Sequence, residues 1–158
     1  MSTVTGIVII PSEAPLAAEV AGVDLSQELD ESTFRTIAAA ASEHLVIVFR
    51  NQQLTPEHLL RFARRFGDLE ISPRTQFALP DYPDILLLSN ILDAEGRPIG
   101  NTDAGRTWHT DMSYTATPPC STLLYALEVP HNVHGEALGD TLFVSTATAY
   151  EALPLEMK

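Results

Sequence analysis

Leu45-Val46-Ile47-Val48-Phe49 is an apolar run without a single polar interruption. It is too short for a helix of usual length, and its centre is β-branched. The absence of alternation predicts a strand covered on both faces. Cover is available on either side in sequence. Asp30 or Ser32 can cap a helix over Thr33 to Glu43, where Phe34, Ile37 and Ala41 recur at helical spacing. After the run, Thr55-Pro56 places a cap residue before a proline at the first helical position. Leu59, Phe62, Ala63 and Phe66 then form one apolar face, and Gly67 is a natural stop.

The rest of the chain reads as strands between proline- and glycine-marked loops. Val4 to Ile10, bounded by Pro11, predicts a first strand, and Val20 to Val23 a short one within a loop. Glu70 to Asp84 is proline-punctuated loop, Ile85 to Leu88 a buried strand, and Asp93 to Gly105 a polar, glycine-rich loop. Thr122 to Val129 and Asp140 to Val144 read as strands around a loop from Pro130 to Gly139. Ser145 caps a last helix running to Leu153. Strands outnumber helices, and the helices lie mainly early. The fold class is mainly β with flanking helices (α+β), and 158 residues suit one domain.

A formal charge of −12 argues against nucleic acid or an anionic membrane as partner, because both need clustered Lys and Arg. The single cysteine, Cys120, excludes an intrachain disulfide framework and fits a reducing compartment. Neither a signal peptide nor a transmembrane helix is read, so the expected location is the cytoplasm.

The chemistry concentrates in Arg106-Thr107-Trp108-His109-Thr110-Asp111-Met112-Ser113-Tyr114. In an extended strand His109 and Asp111 leave the same face, with ~6–7 Å between their Cα atoms. An imidazole and a carboxylate so placed can share one metal ion. Two His and one carboxylate with open positions opposite describe non-haem Fe(II) oxygenase sites. The spacing by itself is weak. With five His and 21 acidic residues, roughly 0.6 His-x-Asp/Glu matches arise by chance. A strand-end His hydrogen-bonded to a carboxylate is the plainer reading of the pair alone. A second match, His134-Gly135-Glu136, joins His131 in a ligand-like cluster, but Pro130, Asn132 and Gly135 mark it as a solvated loop. Ordering such a loop around a metal would cost ~1–2 kcal/mol per residue.

The order of landmarks adds context. Trp108-His109-Thr110-Asp111 is followed by Thr117-Pro118-Pro119, Gly139-Asp140-Thr141-Leu142-Phe143 and Ala149-Tyr150-Glu151-Ala152-Leu153. Upstream stand Gly22-Val23-Asp24-Leu25, Val48-Phe49-Arg50-Asn51-Gln52 and Phe62-Ala63-Arg64-Arg65-Phe66-Gly67. Across nearly the whole chain this resembles the taurine and chlorophenoxyacetate dioxygenases, the TauD/TfdA-like family. The resemblance implies a double-stranded β-helix (jelly roll) with helices outside. It implies Fe(II), 2-oxoglutarate and O2 as cofactor and cosubstrates, and hydroxylation of a small organic substrate by ferryl hydrogen abstraction. His109 and Asp111 would be the catalytic metal ligands, and the Thr141 hydroxyl would bind a 2-oxoglutarate carboxylate.

Departures from the family pattern bear on substrate. Where the taurine branch has a substrate-contacting His and Tyr, this chain has Ser72 and Thr75, and a substrate-binding Asn becomes Gly105. These changes argue against taurine. The loop Asp93 to Gly105 borders the expected pocket, and Asn101 or Arg106 could contact a polar substrate there, although solvated loop side chains are the simpler reading of both. The family's distal His ligand and its 2-oxoglutarate-binding Arg have no counterpart, since no His follows His134 and no Arg follows Arg106. The chain therefore reads as the N-terminal portion of a single such domain, truncated at its C-terminus, with sheet edges left for self-association. Two further readings stand beside the enzyme. One is a catalytically inactive truncated homologue that oligomerises or binds a partner. The other is a zinc module built on His131, His134 and Glu136; alternatively, His131 or His134 could serve the His109–Asp111 site as third iron ligand.

Overall fold

The structure is a computed structural model in which residues 6–158 are described. It divides into two compact units, Met1–Gln53 with Glu128–Lys158, and Leu54–Leu127.

The first unit is built on a mixed three-stranded sheet in the order β1 (Val8–Pro11), β2 (Ala18–Ala21), β3 (Ile47–Val48). β1 pairs antiparallel with β2, with Val8 opposite Ala21 and Pro11 opposite Ala18, whereas β2 and β3 are parallel. A parallel pair needs a crossover, and helix α1 (Glu31–His44) supplies it. Asp30 caps α1 by accepting from the Thr33 amide at 2.9 Å, while the Ser32 and Thr33 hydroxyls also donate to its carboxylate. These three donors hold the Asp30 carboxyl well below the usual carboxylate range, led by the Ser32 hydroxyl. Along β2, Ala18 and Val20 point inward. With Leu25 and with Ile37 and Ala40, one turn apart on α1, they make up the apolar core of this unit. Ile37 is fully buried, worth ~1.5–3 kcal/mol relative to exposure.

Two of the sequence landmarks prove to be one structural joint. The Gln52 side chain accepts from the Leu25 amide at 2.8 Å and donates to the carbonyls of Val23 (3.2 Å) and Arg50 (3.0 Å). Gly22-to-Leu25 and Val48-to-Gln52 are thus sewn together by a single amide.

The second unit holds helix α2 (Pro56–Ala63) and a hairpin of β4 (Ala78–Leu79) with β5 (Tyr82–Leu86). Thr55 and His58 form the capping box of α2, Pro56 opens the helix, and Leu60 and Phe62 are buried. Phe66 meets Phe62 edge-on, with ring centroids 5.4 Å apart. The Tyr82 hydroxyl donates to the Glu57 carboxylate and ties β5 to α2.

Several expectations are corrected. Of Leu45–Phe49 only Ile47 and Val48 form a strand, and both are half-buried rather than covered on two faces. α1 runs on to His44, Leu45 caps it in a left-handed conformation, and β3 is an edge strand with β2 as its neighbour. Within Glu70–Asp84 lie a 3-10 turn at Thr75–Phe77, β4 and the start of β5, so the strand begins at Tyr82 rather than Ile85. Thr122–Val129 and Asp140–Val144 are not strands, because neither finds a ladder partner among the described residues and side-chain propensity alone makes no sheet. The first strand is shifted to Val8–Pro11, and Val4 and Thr5 lie outside the described residues. The helix capped by Ser145, here α3 (Thr146–Glu151), is present. The class is accordingly α+β, with short sheets and few helices.

Candidate metal centre

The stretch around His109 is not a strand. Residues 108–110 are irregular, and a turn follows over 111–114, with Met112 in the left-handed region and its carbonyl taking both the amide and the hydroxyl of Thr115. The two side chains nevertheless converge: Nε2 of His109 stands 3.2 Å from Oδ1 of Asp111, and each is about half exposed.

Both partners are oriented from behind. Nδ1 of His109 lies 2.7 Å from the Thr107 carbonyl, and since a carbonyl can only accept, the hydrogen is on Nδ1. In the neutral ring, the Nε2 lone pair then lies on the side of Asp111. The Thr122 hydroxyl donates to the other carboxylate oxygen, Oδ2, at 2.8 Å, which leaves Oδ1 turned to the histidine. Nε2 and Oδ1 thus present two acceptors to one point, an arrangement that takes a cation between them. Adjacent ligands of an octahedral ion, each at ~2.1 Å, stand ~3 Å apart, close to the separation observed. The pair fits two positions of one metal ion.

What holds Thr122 in place is a segment pinned beside α2. The Cys120 thiol approaches the Phe66 carbonyl at 3.9 Å, and the Tyr125 hydroxyl accepts the Leu54 amide at 3.0 Å. Residues 120–125 therefore run past the helix in the opposite direction. Five extended steps cover ~16 Å, about the length of the helix and its flanks. Neither Thr122 nor the Thr107 carbonyl carries a spacing signal. Thr122 is 11 residues beyond Asp111, across the 111–114 turn and Pro118-Pro119.

The remaining candidates fall elsewhere. Thr141 is exposed, in the irregular segment before α3, and belongs to the other unit. Among the described residues no group of three or more His, Cys, Asp and Glu side chains is placed to hold a metal ion. The His131–Glu136 loop is a closed polar turn. Asn132 donates to the Glu136 carboxylate at 2.6 Å and accepts the amides of His134 and Glu136, with both imidazoles exposed. That arrangement does not support the three-ligand zinc cluster. Arg106 pairs with Asp103 at 2.9 Å on the surface. Asn101 is no solvated side chain: it is 6 % exposed, its backbone bonded to the Leu87 carbonyl and its Oδ1 to the Asp103 amide.

The sequence pattern of the family described as "Taurine catabolism dioxygenase TauD, TfdA family" matches residues 9–158. The chain belongs to the TauD/TfdA family. The pentalenolactone F synthase of Streptomyces avermitilis is 40% identical to it, over 100% of this chain and 51% of the synthase. The alpha-ketoglutarate-dependent 2,4-dichlorophenoxyacetate dioxygenase of Cupriavidus pinatubonensis is 30% identical, over 94% of this chain and 53% of that enzyme. A crystal structure of a taurine dioxygenase from Burkholderia xenovorans aligns with 34% identity and a TM-score of 0.46, covering 49% of this chain and 28% of that one. This TauD/TfdA chain spans about half the length of the curated relatives it matches. The family is one of dioxygenases that use Fe(II), 2-oxoglutarate and O2, and several of these relatives are named as alpha-ketoglutarate-dependent. No helix among its described residues is long and apolar enough to cross a membrane.

Proposed function

We propose that this chain carries the first two iron ligands of an Fe(II)- and 2-oxoglutarate-dependent dioxygenase that hydroxylates a small organic substrate in the cytoplasm. Residues 1–158 form part of a single TauD/TfdA-like domain whose completed architecture is a double-stranded β-helix. One observation carries the reading: Nε2 of His109 and Oδ1 of Asp111 converge to 3.2 Å, each with its other polar atom already engaged. His109 and Asp111 hold the metal, the Thr107 carbonyl fixes the imidazole, and the Thr141 hydroxyl donates to a carboxylate of 2-oxoglutarate. Fe(II) with 2-oxoglutarate and O2 supplies the oxidising power when bound, and the side chains supply binding, orientation and exclusion of water. The third ligand and the cation that pairs with the far carboxylate come from the part of the relatives' length that this chain does not span. Ser72, Thr75 and Gly105 disfavour taurine as substrate.

The test is Fe(II)-dependent conversion of 2-oxoglutarate to succinate by the full-length protein with ascorbate present. His109→Ala and Asp111→Ala should each abolish it. Undiminished turnover in His109→Ala would overturn the assignment.

A second reading, a catalytically inactive homologue that oligomerises or binds a partner, draws on exposed apolar side chains. Val133 is 95 % and Leu155 88 % exposed, with Leu124, Leu127 and Leu142 also largely open. Exposed apolar side chains mark an association site where they form one contiguous patch. A concentration-dependent mass in light scattering, without metal binding, would favour it.

A further inference from the structure

We propose that Thr122 is the positioning residue of Asp111, an inference that rests on the metal reading above. A free carboxylate offers two equivalent oxygens and rotates between them. Here the Thr122 hydroxyl engages Oδ2 at 2.8 Å, while Oδ1 is the oxygen turned to Nε2 of His109. The hydroxyl therefore makes the two oxygens inequivalent and presents Asp111 as a one-oxygen ligand. A carboxylate that instead gave both oxygens would occupy a second coordination position, one that the cosubstrate or O2 needs.

The choice of residue and its placement agree with this role. Threonine is β-branched and restricted at χ1, so its hydroxyl is held with little rotational freedom to lose. Side chains on either side tie its segment beside α2, the Cys120 thiol at the Phe66 carbonyl and the Tyr125 hydroxyl at the Leu54 amide. Outer hydrogen bonds of this kind typically change metal affinity by ~10–100-fold when removed.

The experiment titrates Mn(II), as a spectroscopic stand-in for Fe(II), against the full-length protein and four variants. Free Mn(II) is read by electron paramagnetic resonance, and thermal midpoints are recorded alongside. Thr122→Val keeps the shape and removes the hydroxyl. It should weaken Mn(II) binding by ~10-fold or more with its thermal midpoint unchanged. Thr122→Ser, which restores the hydroxyl, should bind within ~3-fold of the unsubstituted protein. Wild-type binding in Thr122→Val, or binding in Thr122→Ser as weak as in Thr122→Val, overturns the inference. His109→Ala and Asp111→Ala separate it from the reading beneath. If both lose Mn(II) while Thr122→Val does not, only the role of Thr122 falls. If both bind as the unsubstituted protein does, or if the unsubstituted protein takes up no Mn(II), the metal reading falls and Thr122 with it.

Discussion

Nδ1 of His109 donates to the carbonyl of Thr107, two residues back in the chain, across 2.7 Å. The bond is internal to the stretch and needs no distant element, so the Nδ1–H tautomer should hold in the metal-free protein. Proton–nitrogen correlation spectra of the imidazole rings should show His109 with its hydrogen on Nδ1. Zn(II), a diamagnetic probe, should then shift the Nε2 resonance of His109 selectively, leaving His131 and His134 unmoved. A dominant Nε2–H form, or a first shift at His134, would be incompatible with the geometry described.

Gln52 joins the segment before α1 to the segment after β3 through two hydrogen bonds and makes a third within its own segment, and Leu25, one of the groups it serves, lies in the core at 5 % exposure. Gln52→Ala leaves the Leu25 amide and the Val23 carbonyl without this partner. Losing these bonds should cost about 1–3 kcal/mol. Gln52→Glu keeps the acceptor for Leu25 but loses both donors, and should fall between wild type and Gln52→Ala in urea midpoint. Equal midpoints for all three proteins would remove Gln52 from the account of this joint.

The parts of the fold that were legible in the sequence are those set by local chemistry. Asp30, Thr55-Pro56 and Ser145 each cap a helix where a side-chain oxygen meets an orphan amide a few residues on, and each is observed to do so. Strands depend on partners that are distant in sequence. Leu123, Leu124 and Tyr125 look like strand residues, yet their segment is held by Cys120 and Tyr125 against α2 rather than by a ladder. The β4–β5 hairpin had a signal in Pro80-Asp81, a two-residue link in which Asp81 takes the left-handed conformation that Asp tolerates. In the candidate site, His109 and Asp111 were legible from their spacing and their neighbours. Thr122 was not, because the turn that brings it to Asp111 has no fixed length.

Tyr82 and Glu57 make a titratable tie between β5 and α2. The Tyr82 hydroxyl, with that of Thr55 second, lowers the Glu57 carboxyl to about 2, and Glu57 raises the Tyr82 phenol above 10.0. A lowered acid contributes stability above its unfolded value of 4.5, and loses it as pH falls towards about 2. A raised phenol contributes below 10.0 and loses its share as pH rises through its folded value. Tyr82→Phe should therefore be less stable than wild type between about pH 5 and 9, and the gap should close by pH 2. Urea midpoints measured from pH 2 to 7 would show it. A gap that stayed constant to pH 2 would assign the effect to packing rather than to the carboxylate.

Gly100 stands where the loop that leads to His109 returns to the chain just past β5. A Cβ at this position would meet the Leu87 carbonyl at 2.8 Å and the Ser89 amide at 2.9 Å, both of them backbone atoms that cannot swing aside. The next residue, Asn101, bonds its amide to that same Leu87 carbonyl and bridges Leu88. Gly100→Ala must therefore part the two strands of chain or break the Asn101 bond, at about 1–3 kcal/mol for an overpacked contact. Hydrogen exchange at the Asn101 amide should quicken more than exchange within α2, because the strain is confined to this crossing. Gly105→Ala is the control. Its Cβ would meet nothing within 4 Å, so its cost comes from a φ of 74° and leaves the Leu87–Asn101 bond intact. If the two variants exposed the Asn101 amide equally, the close approach at Gly100 would not be what fixes the root of this loop.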